Sequence, residues 1–260
     1  MPVYQTDKWL EKSYHSPEQI YKKLTKYFYQ GNIKEVSNLL ISHGMYRKPD
    51  HDGEALLKSL RKKNVWENIT KEEKLLKQEW NGKNIPIFIF PSDTYNRKIK
   101  DHYSGRAGLA FSDKLFLFIS DESKEKEIKA LFTHEYNHCC RLAHDPNKEK
   151  DYTLLDVIIL EGLAENAVQE RFGSSPLAPW TSYYNDDELQ DIWENLILPH
   201  KNLSKNTRIA INILYVKSLY PNMAGYSVGY YLVKRYIKKT GKGSKELLKI
   251  PAAEIALIEK

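Results

Sequence analysis

Cysteine is nearly absent. The 260 residues hold two, Cys139 and Cys140, and neighbours in a helix point in different directions, so the pair forms no bridge and the chain has no disulfide framework. Thiols left reduced point to the cytoplasm. Long apolar runs are missing too. The longest, Leu154 to Leu160, is broken by Asp156 and falls well short of the ~20 apolar residues that a membrane span needs. Met1 to Leu10 contains no apolar stretch of the secretory kind. Excess charge is thin as well: 40 lysines and arginines stand against 34 aspartates and glutamates, a net +6. Lysines are interspersed with glutamates throughout, and no dense basic block marks a nucleic-acid arm. Internal repeats and low-complexity segments are lacking. What these absences leave is a globular cytoplasmic chain with neither a membrane nor a nucleic acid as partner, long enough to bury a substantial core without staples.

One stretch carries chemistry: Thr133-His134-Glu135-Tyr136-Asn137-His138. His-Glu-x-x-His on a helix puts two imidazoles one turn apart on one face, where both can reach a single zinc ion. Glu135 sits at the edge of that face, placed to take a proton from an attacking water without itself binding metal. A helix there is supported by Ile128, Leu131, Phe132, Cys139, Leu142 and Ala143 at spacings of three, four and seven. Ser123 is the expected N-cap, Glu125 and Glu127 suit the first turn, and Pro146 ends the run. Cys139 reads as core packing.

Ahead of this helix, residues 1–80 read as a helical lobe. Ser16-Pro17-Glu18 starts one helix, a second spans Ile33 to His43 and stops at Gly44, and a third carries Leu56, Leu57 and Leu60. A fourth, Asn68 to Trp80, is expected to start near Thr70, with Glu73 completing a capping box. The period then changes. Ile85 to Phe90 and Lys114 to Ile119 are short β-branched and aromatic runs and read as strands. Between them, Ser104 to Phe111 is punctuated by Gly105 and Gly108. It is either a loop or an irregular edge strand, and glycines there would admit the backbone of an extended peptide.

Beyond the motif, a helix is expected from Leu154 to Phe172, closed by Gly173, then helices over Asp186 to Leu196 and Ile209 to Leu219. A turn at Pro221 to Tyr226 leads into a last long helix, Ser227 to Lys239. The fold class is therefore α+β and mostly helical: a small sheet before the motif helix, a helical C-terminal part, and a cleft between them within a catalytic domain of residues 81–260.

A third metal ligand has two candidates. Glu161 and Glu165 lie one turn apart on a helix face rich in Ile158, Ile159, Leu163 and Ala164, and a carboxylate on such a face must be paired or bound to metal. His144, six positions after His138, is the other, and with Met223 in the later turn it fits a metzincin-type spacing. That spacing requires the helix to break where this chain has Arg141 rather than glycine. Glu161 is preferred on that ground.

Taken together, His134-Glu135-Tyr136-x-His138-x-x-Arg141, then Glu161-Gly162-Leu163-Ala164-Glu165, then Gly225-Tyr226-Ser227-Val228-Gly229-Tyr230-Tyr231-Leu232-Val233 resemble the YjaZ-like family of predicted zinc-dependent proteases of bacteria, and the first two also resemble the gluzincin arrangement. The resemblance covers roughly residues 80 to 240. It implies a zincin-like fold, a Zn2+ cofactor held by His134, His138 and Glu161, and a peptide or protein substrate. Leu160 stands where gluzincins often have asparagine.

On this reading Glu135 is the general base of a zinc metallopeptidase. Tyr226 is the first candidate for donating to the oxyanion and Tyr230 the second, with His200 and His102 further out. Glu165 would hold a ligating histidine in the right tautomer. The alternative is a catalytically weak or inactive zincin-fold protein with a regulatory or stress-related role.

Overall fold

The two apolar runs before the motif form the inner pair of a small sheet. In the computed structural model, which describes residues 2–49, 53–93, 95–96, 105–145, 149–215 and 220–257, β1 (Ile87–Pro91) lies parallel to β3 (Leu115–Ile119), with Ile87 opposite Leu115. β2 (Ala107–Ala110) runs antiparallel to β3 at the sheet's edge, giving the order β1-β3-β2. Within the glycine-punctuated segment, Ala107–Ala110 is thus an edge strand. His102 and Pro146 lie outside the described residues. The fold is α+β and mostly helical, as the residue patterns imply. The chain divides into two compact units, Met1–Cys139 and Cys140–Lys260.

In the first unit, β1 and β3 are buried at every position, so both faces of the sheet are covered and the runs need not alternate with polar residues. Phe88, Phe90, Phe116 and Phe118 share one core with Leu10, Ile20, Leu24 and Leu40. These leucines and isoleucine come from helices α1 (Thr6–Ser13), α2 (Pro17–Leu24) and α3 (Ile33–Ser42), which α4 (Gly53–Lys62) and α5 (Val65–Trp80) follow. Each buried phenylalanine or leucine contributes about 1.5–3 kcal/mol. Helix α1 was not legible, because TDKWLEKS is mostly polar. It is held instead by Thr6, which donates to the carbonyl of Ile89 and accepts from Trp66 Nε1 at 2.9 Å. Helix α5 starts at Val65, before the expected Asn68 to Thr70. Asn64 and Asn81, both at φ 52°, bracket it, and asparagine tolerates that left-handed conformation. Thr70, inside the helix, donates back to the Trp66 carbonyl at 2.7 Å and caps nothing.

Helix α6 (Glu125–His144) carries the motif. At its start the Glu127 carboxylate reaches back and accepts from the N–H of Lys124, the residue before the helix, at 2.8 Å. Ser123, the expected cap, is buried in the preceding turn instead. Tyr136 is sandwiched between Trp80 and Phe132, at 6.2 and 5.3 Å, and donates to the Lys83 carbonyl at 3.2 Å. These contacts and the Lys129–Glu72 pair at 3.7 Å fix α6 against α5.

The second unit is built on α7 (Leu154–Phe172), whose start is a complete capping box between Thr153 and Asp156. Helices α8 (Asp186–Asp191), α9 (Arg208–Tyr215), α10 (Ala224–Thr240), α11 (Ser244–Leu247) and α12 (Ala252–Ile255) follow, with a wide-turned segment at Ile192–Ile197. Helix α7 is buried nearly all round and touches α10 backbone to backbone. A Cβ on Gly162 would lie 2.2 Å from the Gly229 carbonyl oxygen, and one on Gly229 would lie 1.8 Å from that of Ile158. Asn166 clasps the crossing, donating to the carbonyls of Gly162 at 2.8 Å and Tyr230 at 3.0 Å. Arg141, at the end of α6, is buried and donates to the carbonyls of Leu248 and Ile250 at 3.0 and 2.8 Å.

Two stability measurements check this packing. Gly229→Ala forces α10 away from α7, and since overpacking typically costs 1–3 kcal/mol and here meets rigid backbone, denaturant unfolding should lose about 3 kcal/mol or more; a wild-type midpoint would contradict the crossing. Burial pushes Tyr21 up to about 12, and it raises Tyr46 and Tyr152 as well, the latter also through its bond to Asp145. The folded state therefore keeps protons that an unfolded chain releases near pH 10. Stability should hold below pH 10 and fall as pH rises from 10 toward 12, with the phenolate absorbance of these buried tyrosines appearing only as the protein unfolds; phenolate signal from every tyrosine before unfolding would refute it.

Candidate metal centre

Because α6 is unbroken, His134 and His138 fall one turn apart, their ring centroids 4.6 Å from each other and their planes at 85°. His138 is buried and His134 half-buried. Glu161, half-buried on α7, is adjacent to Gly162 at the crossing with α10. One ring nitrogen from each histidine and one carboxylate oxygen of Glu161 all lie within 4.8 Å of one another, the one such gathering of His, Cys, Asp and Glu among the described residues. The helix continues through Arg141 to His144, so the break that a His144 ligand requires does not occur. Six residues of helix instead carry His144 ~9 Å along the axis from His138.

Do these groups fit zinc? Two imidazole nitrogens and a carboxylate are a common protein donor set for a catalytic zinc, which takes three protein ligands and leaves a fourth position open. Ligand bonds of about 2.0–2.2 Å in tetrahedral geometry place donors ~3.4 Å apart. A gathering within 4.8 Å needs only small side-chain rotations to reach that.

Around this cluster the other expected residues fall in distinct places. Glu135 is buried, and its carboxyl stands over the edge strand: a Cβ on Gly108 would lie 2.3 Å from the Glu135 carboxyl carbon. Only glycine at that position of β2 leaves room for the acid. Glu165 is buried on α7 and accepts from the Ala178 N–H at 2.6 Å, which ties down the loop leading to Trp180. Tyr226 lies in the first turn of α10, its ring edge-on to Trp180 at 5.4 Å and to Tyr215 at 6.0 Å. The Tyr230 hydroxyl donates to Gln169, and burial, reinforced by the Glu165 charge, raises its pKa. His200 turns back on its own segment, its Nδ1 2.8 Å from the Leu196 carbonyl.

One residue near the cluster was not singled out from the sequence. Tyr215, the last residue of α9, is hydrogen-bonded to Tyr226 and senses the charge of Glu161; burial and that charge raise its pKa while the bond from Tyr226 opposes the rise. Nothing in its local pattern marks it. It is one aromatic at the end of an amphipathic helix, and only folding brings it to Tyr226.

The chain is mostly helical α+β, and its His134-His138-Glu161 cluster is a donor set that fits zinc. The chain belongs to the family described as "Predicted Zn-dependent protease (DUF2268)", which it matches over residues 65–257. It is 40% identical over 255 residues to the Bacillus subtilis (strain 168) protein "Uncharacterized protein YjaZ", covering 97% of each chain. A second relative of that organism, "Uncharacterized protein YjfC", is 25% identical over 168 residues, 61% of this chain and 56% of that protein. No solved structure matches. No helix among the described residues is long and apolar enough to cross a membrane.

Metal analysis tests the cluster. Purified protein should carry about one zinc, His134→Ala and Glu161→Ala should lose most of it, and His144→Ala should keep it. Full occupancy in the Glu161 variant would reject this donor set.

Proposed function

We propose that the protein is a zinc-dependent metallopeptidase in which His134, His138 and Glu161 hold the ion and Glu135 is the general base. The observation that carries this reading is the gathering of the three donor groups within 4.8 Å next to a buried Glu135 that is not one of them. A zinc ion held there would lower the pKa of a coordinated water to about 7 and polarise the scissile carbonyl. Glu135 takes the proton from the attacking water and passes it to the leaving amine. Its burial keeps competing solvent away, and the packing over Gly108 limits the positions its carboxyl can take. Glu165, anchored by the Ala178 N–H, holds a ligating histidine in its tautomer.

The substrate is an extended peptide. Among the described residues β2 pairs with β3 alone, so its outer edge offers backbone N–H and C=O groups beside Glu135, and a peptide added there presents its carbonyls in register. The two buried free cysteines suit a reducing cytoplasm, where unfolded or partly unfolded chains supply such segments.

The test is turnover of quenched short peptides and of a denatured protein, with and without chelator. Wild type should cleave and recover on zinc addition. Glu135→Gln should keep its zinc and lose at least ~10²-fold in kcat, and Gly108→Ala, by displacing Glu135, should keep zinc and lose ~10-fold or more. A zinc-loaded wild type that cleaves neither substrate would refute the peptidase reading and leave the regulatory one.

A further inference from the structure

Charge is mixed along most of the chain but separated within the second unit. Between Lys234 and Lys249 seven lysines and arginines stand against one glutamate, Glu246, a surplus equal to the +6 of the entire chain. Between Trp180 and His200 five aspartates and glutamates occur with no lysine or arginine. The two stretches are neighbours in the fold. Leu189 and Trp193 share one core with Tyr231 and Leu232 of α10, and Gln190 of α8 stands at the border. Its side-chain oxygen accepts from the Tyr231 hydroxyl at 2.9 Å and from Arg235 at 2.6 Å, while its amide nitrogen donates to Glu194. A neutral side chain thus keeps the cations and the anions apart.

The charged groups flank that border on the exposed surface. On α10, Lys234, Lys238 and Lys239 are exposed, and with Arg235 they span about 140° of the helix circumference. On the other side Asp187 lies one turn before Gln190, Asp191 beside it and Glu194 one turn after, all exposed. None of these groups forms a salt bridge with a described residue. Helix dipoles favour acids at the start of α8 and bases at the end of α10. That accounts for Asp187, Lys238 and Lys239, and leaves Asp191, Glu194, Lys234 and Arg235 without a reason inside one copy.

We infer that two copies of the chain meet on this face across a two-fold axis near Gln190, with α8 of each lying over α10 of the other. A patch whose positive and negative halves lie side by side complements itself under a two-fold rotation. The rotation sets Asp187, Asp191 and Glu194 of each copy opposite Lys234, Lys238 and Lys239 of the other, so the same pairing forms twice. A nucleic-acid duplex or an anionic membrane fits less well, because its continuous negative charge would cover the acidic half as well as the basic one. Single strands also want exposed rings to stack on, and Tyr230, Tyr231 and Tyr236 are buried. Exposed ion pairs contribute little one by one and are screened by salt, so the dimer is reversible and salt-sensitive. It forms with or without zinc and with or without peptidase activity.

The experiment is light scattering or sedimentation of the full chain, with two triple variants. One reverses the acids (Asp187→Lys, Asp191→Lys, Glu194→Lys) and the other the bases (Lys234→Glu, Lys238→Glu, Lys239→Glu). At ~50 μM and ~10 mM salt, where charges are felt over about 30 Å, wild type should run near twice 30.4 kDa, and at ~1 M salt, where that reach is about 3 Å, as a monomer. Each triple variant alone should self-associate at least ~10²-fold more weakly, since like charges then face each other. An equimolar mixture of the two should form a one-to-one complex, because both reversed faces are again complementary; a misfolded variant could not give this rescue. A wild type that stays monomeric at low salt, a triple variant that still dimerises alone, or a mixture that fails to associate would overturn the inference. Growth beyond a dimer with concentration would overturn the two-fold arrangement in favour of head-to-tail contact. A monomeric wild type that binds heparin or anionic vesicles through Lys234, Lys238 and Lys239 would overturn it in favour of a polyanion.

Discussion

The contact on which the second half of the chain depends is the meeting of α7 and α10 through two missing side chains. Gly162 and Gly229 let the backbones touch, with no room for even a methyl group at either position, and Asn166 bridges the carbonyls on both sides. Glu161 and Glu165 flank this point on one helix, and Tyr226 and Tyr230 flank it on the other. The crossing therefore sets the placement of the acidic and phenolic groups at once. Helix propensity alone opposes a glycine in each helix by roughly 1 kcal/mol. The two glycines persist because a side chain at either position would separate the helices and disperse the groups around them.

Electrostatics supplies the complementary constraint. Two histidines one turn apart and a nearby carboxylate form a cluster whose donors all favour a divalent cation. Glu135 stands apart from that cluster, over Gly108, so the proposed base and the proposed ligand Glu161 are separated by geometry where the chemistry of the two carboxylates is identical. Glu165 is tied to the Ala178 N–H. Three glutamates thus have three environments: Glu161 beside the two histidines, Glu135 over Gly108, and Glu165 on the Ala178 N–H.

Much of this was legible in the residues. The motif helix, the helix from Leu154 to Phe172 with its closing Gly173, and the two apolar strands follow from period and caps, because those signals are local. Errors arose where tertiary contacts outweighed local preference. Helix α1 is too polar to register and is held by bonds from Thr6 to distant partners. Ser123 has the chemistry of a cap but is buried in a turn, and Glu127 reaches back to Lys124 from inside the helix. Thr70 likewise looks like a cap and lies mid-helix. Ala107–Ala110 carries no local signal that separates an edge strand from a loop; its pairing with β3 makes it a strand. Tyr215 had no local signal at all, since its partner Tyr226 belongs to the following helix.

The account stands or falls on what surrounds the metal. X-ray absorption at the zinc edge of the zinc-loaded protein reads this directly. It should give four light neighbours at about 2.0–2.2 Å, two of them imidazoles, and no sulfur. A third imidazole would put His144 or another histidine in place of Glu161, and a sulfur neighbour at about 2.3 Å would bring in Cys139 or Cys140; either result contradicts the centre described here.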